Sequence, residues 1–539
     1  MRDAAPAATK WYGVWSLTFY LLVSLCIQWA TGAWDASFVT YPDEPSHFVS
    51  SVMVHDYLVH GLSRNPMEFA QQYYKHYPFF AVGYWPPLFY ILMGLWFMVV
   101  GVGRLQALLL VAAIASGCAW LVSVLVRRRT GDTAAFCAGL IFLTLPEVQL
   151  WFCAVMVDQT VVLFSLAAAV FVIRYFERPN WPNAVGFSVC AALTVLTKYS
   201  GLYVCALALG ALFLLRRFDL LRLRSFWAQP VLLSALVAPW ILWTAHLATV
   251  GLPQERPGAF VVRSIAFIRE SFRIFPPILL ALVILGLLVL VVRRRAWRAD
   301  MAVVALYAVL LIGFLLASPV GAERRYLQPA AAALLVLSFE GWWTFVSAAM
   351  LRGAAWVKAV PALVLLVTAA ICGMQVLRFR RIPNYPIRSV VRAITEQPAW
   401  SGKQILVAPD MEGAVIAEFV AEDPHRPSYW LRRPSKNFAS LDWFGGHYTR
   451  RFSSTRELMD ELRAHPVDLL IWHAIPADSL RPHERQMQET LLTSPAFWRP
   501  ITSFGSWSIY QYIQTVEETP KPRRIALTGR HGTVGAAAR

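Results

Sequence analysis

Charge is what this sequence has least of. Only 15% of its 539 residues are Asp, Glu, Lys or Arg, while 57% are hydrophobic and the mean hydropathy is +0.50. That balance excludes an ordinary soluble globular chain and is a membrane composition. Cysteine is scarce too. All seven (Cys26, Cys118, Cys137, Cys153, Cys190, Cys205 and Cys372) lie in or beside apolar stretches. The polar C-terminal part has none, so it offers no disulfide framework or zinc ligand set. No Gly-rich phosphate loop, internal repeat or low-complexity core is present. The apolar run after Lys10 has no clear small-residue cleavage site, so it reads as a retained first span.

Basic residues outnumber acidic ones, 49 to 32, for a net charge of +17. In a soluble protein that excess would suggest nucleic acid. Here it gathers between apolar segments, as Arg127-Arg128-Arg129, Arg216-Arg217 with Arg222 and Arg224, and Arg293-Arg294-Arg295. Such runs mark cytoplasmic loops of a membrane protein. The bilayer is the expected surroundings, and a nucleic-acid partner is not expected.

About eleven apolar stretches can cross a bilayer, near 11–31, 104–126, 134–151, 159–174, 184–197, 200–215, 227–248, 274–292, 301–317, 327–347 and 356–377. Those near fifteen residues need flanking residues or a thinned region. With the N-terminus inside, alternation puts every arginine run inside. Residues 32–103, the turn around Asp158, 249–273, 318–326 and everything after about 378 then fall outside. Pro86–Gly101 is apolar enough to cross, but a crossing there would reverse all later parity, so it is expected to enter without a separate crossing.

The first outside loop, 32–85, predicts helical pieces near 44–60 and 67–77. The second carries Tyr73, Tyr74 and Tyr77, with Phe79 beyond, and is expected to rest at the membrane surface. Residues 1–378 therefore read as an all-α polytopic membrane domain. Residues 379–515 read as a small extracytoplasmic α/β domain, with strands at 404–407, 467–472 and 507–513, a helix at 411–422 and a capping box at Ser454–Glu457. Residues 516–539 predict a disordered tail.

Tyr41-Pro-Asp-Glu-Pro-Ser-His-Phe48 places Asp43 and Glu44 just past the first span. Asp43 could simply cap the following helix. The sharper reading makes one of the two carboxylates a general base that takes a proton from an acceptor hydroxyl or amine. Asp158, at the next outside turn, has the same two readings. Two acids on one outside face suit glycosyl transfer, where positive charge develops on the sugar ring. The outside cations Lys198, Arg263, Arg269, Arg273, Arg324 and Arg325 are either interfacial anchors or a phosphate clamp. Cations on that face run against the orientation rule, which favours the clamp. His47, His55, His60 and His76 share the first loop without a trusted ligand spacing, so no metal site is assigned to them. Trp85-Pro86-Pro87 could be a rigid interfacial turn.

The ordered set Asp43-Glu44, Trp85-Pro-Pro-Leu-Phe-Tyr90, Val157-Asp158, Thr197-Lys-Tyr-Ser200 and Glu323-Arg-Arg-Tyr-Leu-Gln-Pro329 resembles the polytopic glycosyltransferases of the GT-C class. It is similar in particular to the dolichyl-phosphate-mannose protein mannosyltransferases and the lipid A aminoarabinose transferases. The resemblance spans roughly 11–347. It implies a GT-C-like integral membrane enzyme, with an inverting active site facing the periplasm of a bacterial inner membrane. The donor would be a polyprenyl-phosphate-linked sugar, and the extracytoplasmic acceptor is open. By motif, Asp43 takes the catalytic acid/base place with Glu44 as its partner, and Asp158 takes the second acidic place. Lys198, Arg263, Arg269, Arg324, Arg325 and Tyr326 would bear on the lipid phosphate. Many members carry His or Lys where this chain has Trp85. No cofactor is assigned; the three acids could hold a divalent cation, but the arginines are expected to make one unnecessary. The rival readings are a flippase of lipid-linked saccharides, which predicts inverted repeats, and a scaffold that presents the C-terminal domain.

Overall fold

The computed structural model describes residues 8–80, 83–248, 265–266, 269–270, 273–275, 277–292, 298–317, 323–351, 359–378, 381–440 and 447–513. Helix α1 (Ala8–Ala30) is followed by the first loop, which holds α2 (Glu44–Asp56) and α3 (Pro66–His76). The two expected helical pieces are there, and Asn65 caps α3 by accepting from Met67 N–H at 2.9 Å. Then come α4 (Leu88–Val100), α5 (Arg104–Thr130), α6 (Asp132–Thr144), α7 (Pro146–Phe152), α8 (Asp158–Glu177), α9 (Trp181–Thr197), α10 (Leu207–Leu214) and α11 (Arg224–Ala248). Further apolar helices cover Pro277–Val292, Ala299–Ala317, Gln328–Leu351 and Val360–Leu377.

Among the described residues, six helices are long and apolar enough to cross a membrane, and α6 with α7 makes a seventh if counted as one broken span. That is fewer than the eleven expected. The stretch read as one span over 134–151 bends by 66° at Leu145-Pro146, because Pro146 cannot donate a helical hydrogen bond. Helices α4 and α9, the helical stretch 199–214 and two later segments are apolar but short. At 13 residues α4 is about 20 Å long, well under the roughly 30 Å of hydrocarbon. It packs on α2 at Gly94, where an added Cβ would sit 3.1 Å from the His55 backbone nitrogen.

The bundle keeps its charges at its two ends. Arg128 pairs with Glu177 through both guanidinium nitrogens, Arg129 with the buried Glu340, and Arg217 with the carbonyl of Phe176. Helix α8 carries Glu177 at that end and Asp158 at the other, so the arginine run and the Asp158 turn lie at opposite ends, as alternation requires.

After residue 378 the chain forms strands β1 (Gln404–Ala408), β2 (Trp430–Arg432), β3 (Ala439–Ser440), β4 (Thr449–Arg450), β5 (Leu469–His473), β6 (Trp498–Phe504) and β7 (Trp507–Tyr512). Five make one mixed sheet in the order β2-β1-β5-β7-β6, parallel from β2 to β5 and antiparallel beyond. Every residue of β5 is buried, as expected of a central strand covered on both faces. The expected strands and the helix Glu412–Glu422 are present; β2 and β6 add to them. Ser454 accepts from Glu457 N–H at 3.2 Å, while the Glu457 carboxylate takes Ser453 N–H at 2.8 Å, one residue earlier than in a capping box. The expected tail, 516–539, lies outside the described residues.

One expectation is corrected. Tyr73 and Tyr77 are buried, so they do not lie at a membrane surface. Their hydroxyls donate to Asp56 (3.1 Å) and to Asp423 of the C-terminal part, a better partner for a buried phenol than lipid headgroups.

Candidate active site

Asp43 occupies the position before α2, yet its side chain makes no capping hydrogen bond. Its Oδ2 instead meets Arg325 Nη2 at 2.9 Å. Asp158 opens α8, with Val157 at the cap position, and its Oδ1 accepts from Lys198 Nζ at 2.8 Å. Neither acid is a helix cap. Lys198 is the residue that ends α9, placed where a span stops and a 3-10 turn starts. Arg325 lies in the short turn Arg324–Leu327 before the next span. Four segments far apart in sequence thus meet at one end of the bundle.

The cations are boxed by aromatic rings. The Arg325 guanidinium sits 4.3 Å from the centre of the Tyr41 ring and 5.2 Å from that of Tyr326, and Lys198 Nζ sits 4.2 Å from Tyr326. Arg325 Nε pairs with Glu323 at 2.8 Å, and Tyr41 donates to the same carboxylate at 2.7 Å. Such a guanidinium is fixed in direction before any ligand arrives. Asp43 is the more open acid, with its side chain 24% exposed against 4% for Asp158. Among the described residues, Asp158 Oδ2 and Arg325 Nη1 are buried without a hydrogen-bond partner. A buried polar atom left so is costly unless something else meets it.

Glu44 stands apart from its neighbour. It is fully buried, pairs with Arg104, and accepts from the backbone N–H groups of Thr40 (3.0 Å) and Val155 (3.1 Å). Arg104 also donates to Ala33 carbonyl at 3.1 Å. Glu44 therefore ties α2 to α5 and to the turn before Asp158, with no open face toward a substrate. Arg324 also turns away: it is half exposed and reaches Glu270 (3.1 Å) and Glu147 (3.7 Å). Arg269 and Arg273 are exposed and pair with Glu270 too. Arg263 lies outside the described residues.

The sequence reading missed Arg104, Glu323, Tyr41 and Trp151, whose ring centre lies 5.5 Å from the Arg325 guanidinium, and it weighed His47 only as a metal ligand. Arg104 had a signal: it is a cation at the outside end of a span. Glu323 and Tyr41 stood inside the motifs but were not weighed. His47 is held by the Tyr90 hydroxyl at 2.9 Å and packs at a tilt against Trp85, 4.6 Å between ring centres. Burial, with Lys198 close by, pushes His47 down to about 3, so it is neutral at physiological pH. Burial also lowers His76, His473 and, to about 4, His483.

These histidines set a pH dependence of stability. Unfolded, each takes up a proton below its ordinary value near 6.5; folded, each resists. Their contribution is complete above about pH 6.5 and is lost as pH falls toward the folded values. The unfolding midpoint in detergent is expected to drop steadily between pH 6.5 and 4.5, and less steeply in His47→Asn. An equal slope in that variant would mean that His47 protonates freely in the fold.

Residues 85–243 match the family model described as dolichyl-phosphate-mannose-protein mannosyltransferase. The fold as a whole is that of solved GT-C enzymes. It matches the crystal structure of ArnT from Cupriavidus metallidurans bound to undecaprenyl phosphate with a TM-score of 0.55 at 14% identity, covering 96% of this chain and 100% of that one. It matches the archaeal oligosaccharyltransferase AglB from Archaeoglobus fulgidus, in complex with an inhibitory peptide and a dolichol-phosphate, with a TM-score of 0.54 at 12% identity. That match covers 94% of this chain and 75% of AglB. No curated protein sequence matches significantly. The architecture is therefore that of a GT-C-class, multi-pass membrane protein. Within the class, the chain is similar to the protein mannosyltransferase and ArnT group, the resemblance its motifs carry.

Proposed function

We propose that this protein is an integral membrane glycosyltransferase that moves a sugar from a polyprenyl-phosphate donor to an extracytoplasmic acceptor by a single inverting displacement. The observation that carries this is the meeting of Asp43, Asp158, Lys198 and Arg325 from four segments at one end of the bundle. In this reading Arg325 and Lys198 receive the donor phosphate, which leaves with negative charge that fixed cations stabilise. Asp43, the open acid, takes the acceptor proton as the acceptor oxygen or nitrogen bonds to the anomeric carbon and the bond to the phosphate oxygen breaks. Asp158 holds Lys198 in place, and Glu44 is a positioning residue. The motif match and the family model support the donor class; the site itself names neither sugar nor acceptor.

The test is mass spectrometry of glycolipids and glycoproteins in cells with and without the protein. Loss of one sugar modification, with build-up of its polyprenyl-phosphate donor, is the expected result. Unchanged glycans with lipid-linked saccharide accumulating on the inner leaflet would favour a flippase instead.

A further inference from the structure

The C-terminal α/β part grips the first loop, from which Asp43 comes, at three places. Upstream of Asp43, Ile382 N–H donates to Thr31 carbonyl at 2.9 Å, and Ser37 donates to Tyr385 carbonyl at 3.0 Å. At the far end of α2, Arg426 reaches both oxygens of Asp56 (3.1 and 3.4 Å), and the side chains of that pair are only 14% and 7% exposed. Tyr73 and His55 complete the shell around Asp56. At the end of α3, Tyr77 donates to Asp423, and His76 packs at a tilt on Trp430, 3.9 Å between ring centres. Helix Glu412–Glu422 also packs directly on α2.

Where Phe79 goes is the telling detail. Parallel α/β sheets take ligands at the carboxyl ends of their strands, beside the helix that follows. In this domain that place lies past β1, at the start of helix Glu412–Glu422. It is filled from the same chain. Gly413 leaves just enough room for the Phe79 ring, with which any added Cβ would collide. Arg433, held by Glu412 at 2.8 Å, covers that ring at 4.5 Å and donates to Pro78 carbonyl at 3.1 Å. A few residues on, Trp85 rests on His47 in the first turn of α2.

We infer that the C-terminal domain serves the reaction as a clamp on α2, with Arg426 and Arg433 as positioning residues for Asp43, and that its ligand-binding edge is taken by the Tyr77–Phe79 segment. This rests on the proposed transferase activity. Among the described residues the clamp makes no hydrogen bond or ion pair with Lys198 or Arg325, so loosening it should spare donor binding and harm turnover. Misplacing a reacting group by about 1 Å can cost on the order of 100-fold.

The test uses the full chain in nanodiscs, with Arg426→Gln, its conservative partner Arg426→Lys, and the milder Tyr77→Phe in case the first does not fold. Expected for Arg426→Gln is a turnover loss of about tenfold or more, with KM for the lipid donor little changed and faster deuterium uptake in 44–56. Arg426→Lys recovers part of both, and Tyr77→Phe moves both in the same direction. Turnover and uptake in 44–56 both like wild type in Arg426→Gln, or in Tyr77→Phe if that is the variant that folds, would overturn the clamp. So would a lower unfolding temperature with unchanged turnover. If wild type transfers no sugar from any polyprenyl-phosphate donor, the transferase reading has failed; the clamp then stands or falls on deuterium uptake alone.

Discussion

Asp43→Asn is expected to lower sugar transfer about a thousandfold, in line with the loss of a general base, while leaving the fold intact. The side chain is a quarter exposed, so its ion pair with Arg325 adds little stability. Arg325 keeps Glu323 and its aromatic box in the variant, and the amide still fills the carboxylate's space. The measurement is turnover in proteoliposomes loaded with polyprenyl-phosphate sugars, beside the unfolding midpoint in detergent. Turnover within tenfold of wild type would move the base elsewhere in the site. Asp158→Asn is the useful contrast. Asp158 is buried against Lys198, so its loss strands a partly buried ammonium and should lower stability and activity together. A variant that loses only activity and one that loses both would separate the proposed base from the residue proposed to hold the phosphate clamp.

Asp43 and Asp158 were legible in sequence because an acid at the edge of an apolar span has few reasons to be there. Lys198 and Arg325 were legible for the same reason with the opposite sign. Four isolated oddities on one predicted face amounted to a candidate site, and the structure brings all four side chains together. The division of labour inside Asp43-Glu44 was not legible. Adjacent residues at the start of a helix point about 100° apart; which one stays partly exposed beside Arg325 depends on Arg104, sixty residues on. Arg324 and Arg325 posed the same problem, and Glu270 settles it. Hydropathy did not show that one apolar run bends by 66° at a proline or that four others form shorter helices, since it registers apolar content and not direction. In the C-terminal domain three apolar strands were read, but β2 is three residues long and ends in Arg432, and β6 carries Arg499 and Pro500, so neither gave a signal. Tyr73 and Tyr77 were misplaced because interface aromatics and surface-belt aromatics have the same composition.

Arg104→Met is expected to have the largest effect on stability of any single change in the site region. Both partners of the Glu44–Arg104 pair have fully buried side chains. Removing one leaves the other as an unpaired charge out of water, a loss of about 3–5 kcal/mol, against a typical total near 5–15 kcal/mol. Little folded protein should be recovered from membranes. Glu44→Gln/Arg104→Met removes both charges, and the one carbonyl oxygen of Gln can accept from Thr40 or Val155 N–H though not from both, so about half of the lost stability should return. A double-mutant cycle on the unfolding free energy in detergent reads this as a coupling of several kcal/mol. The same double variant decides what Glu44 does. If its folded fraction transfers sugar at near the wild-type rate, Glu44 acts only by holding α2 and the Val155 turn in place. If it folds well and is as inactive as Asp43→Asn, the carboxylate of Glu44 is needed for the chemistry, and the two acids act as a pair after all. An Arg104→Met protein with a wild-type unfolding midpoint would overturn the buried-pair account itself.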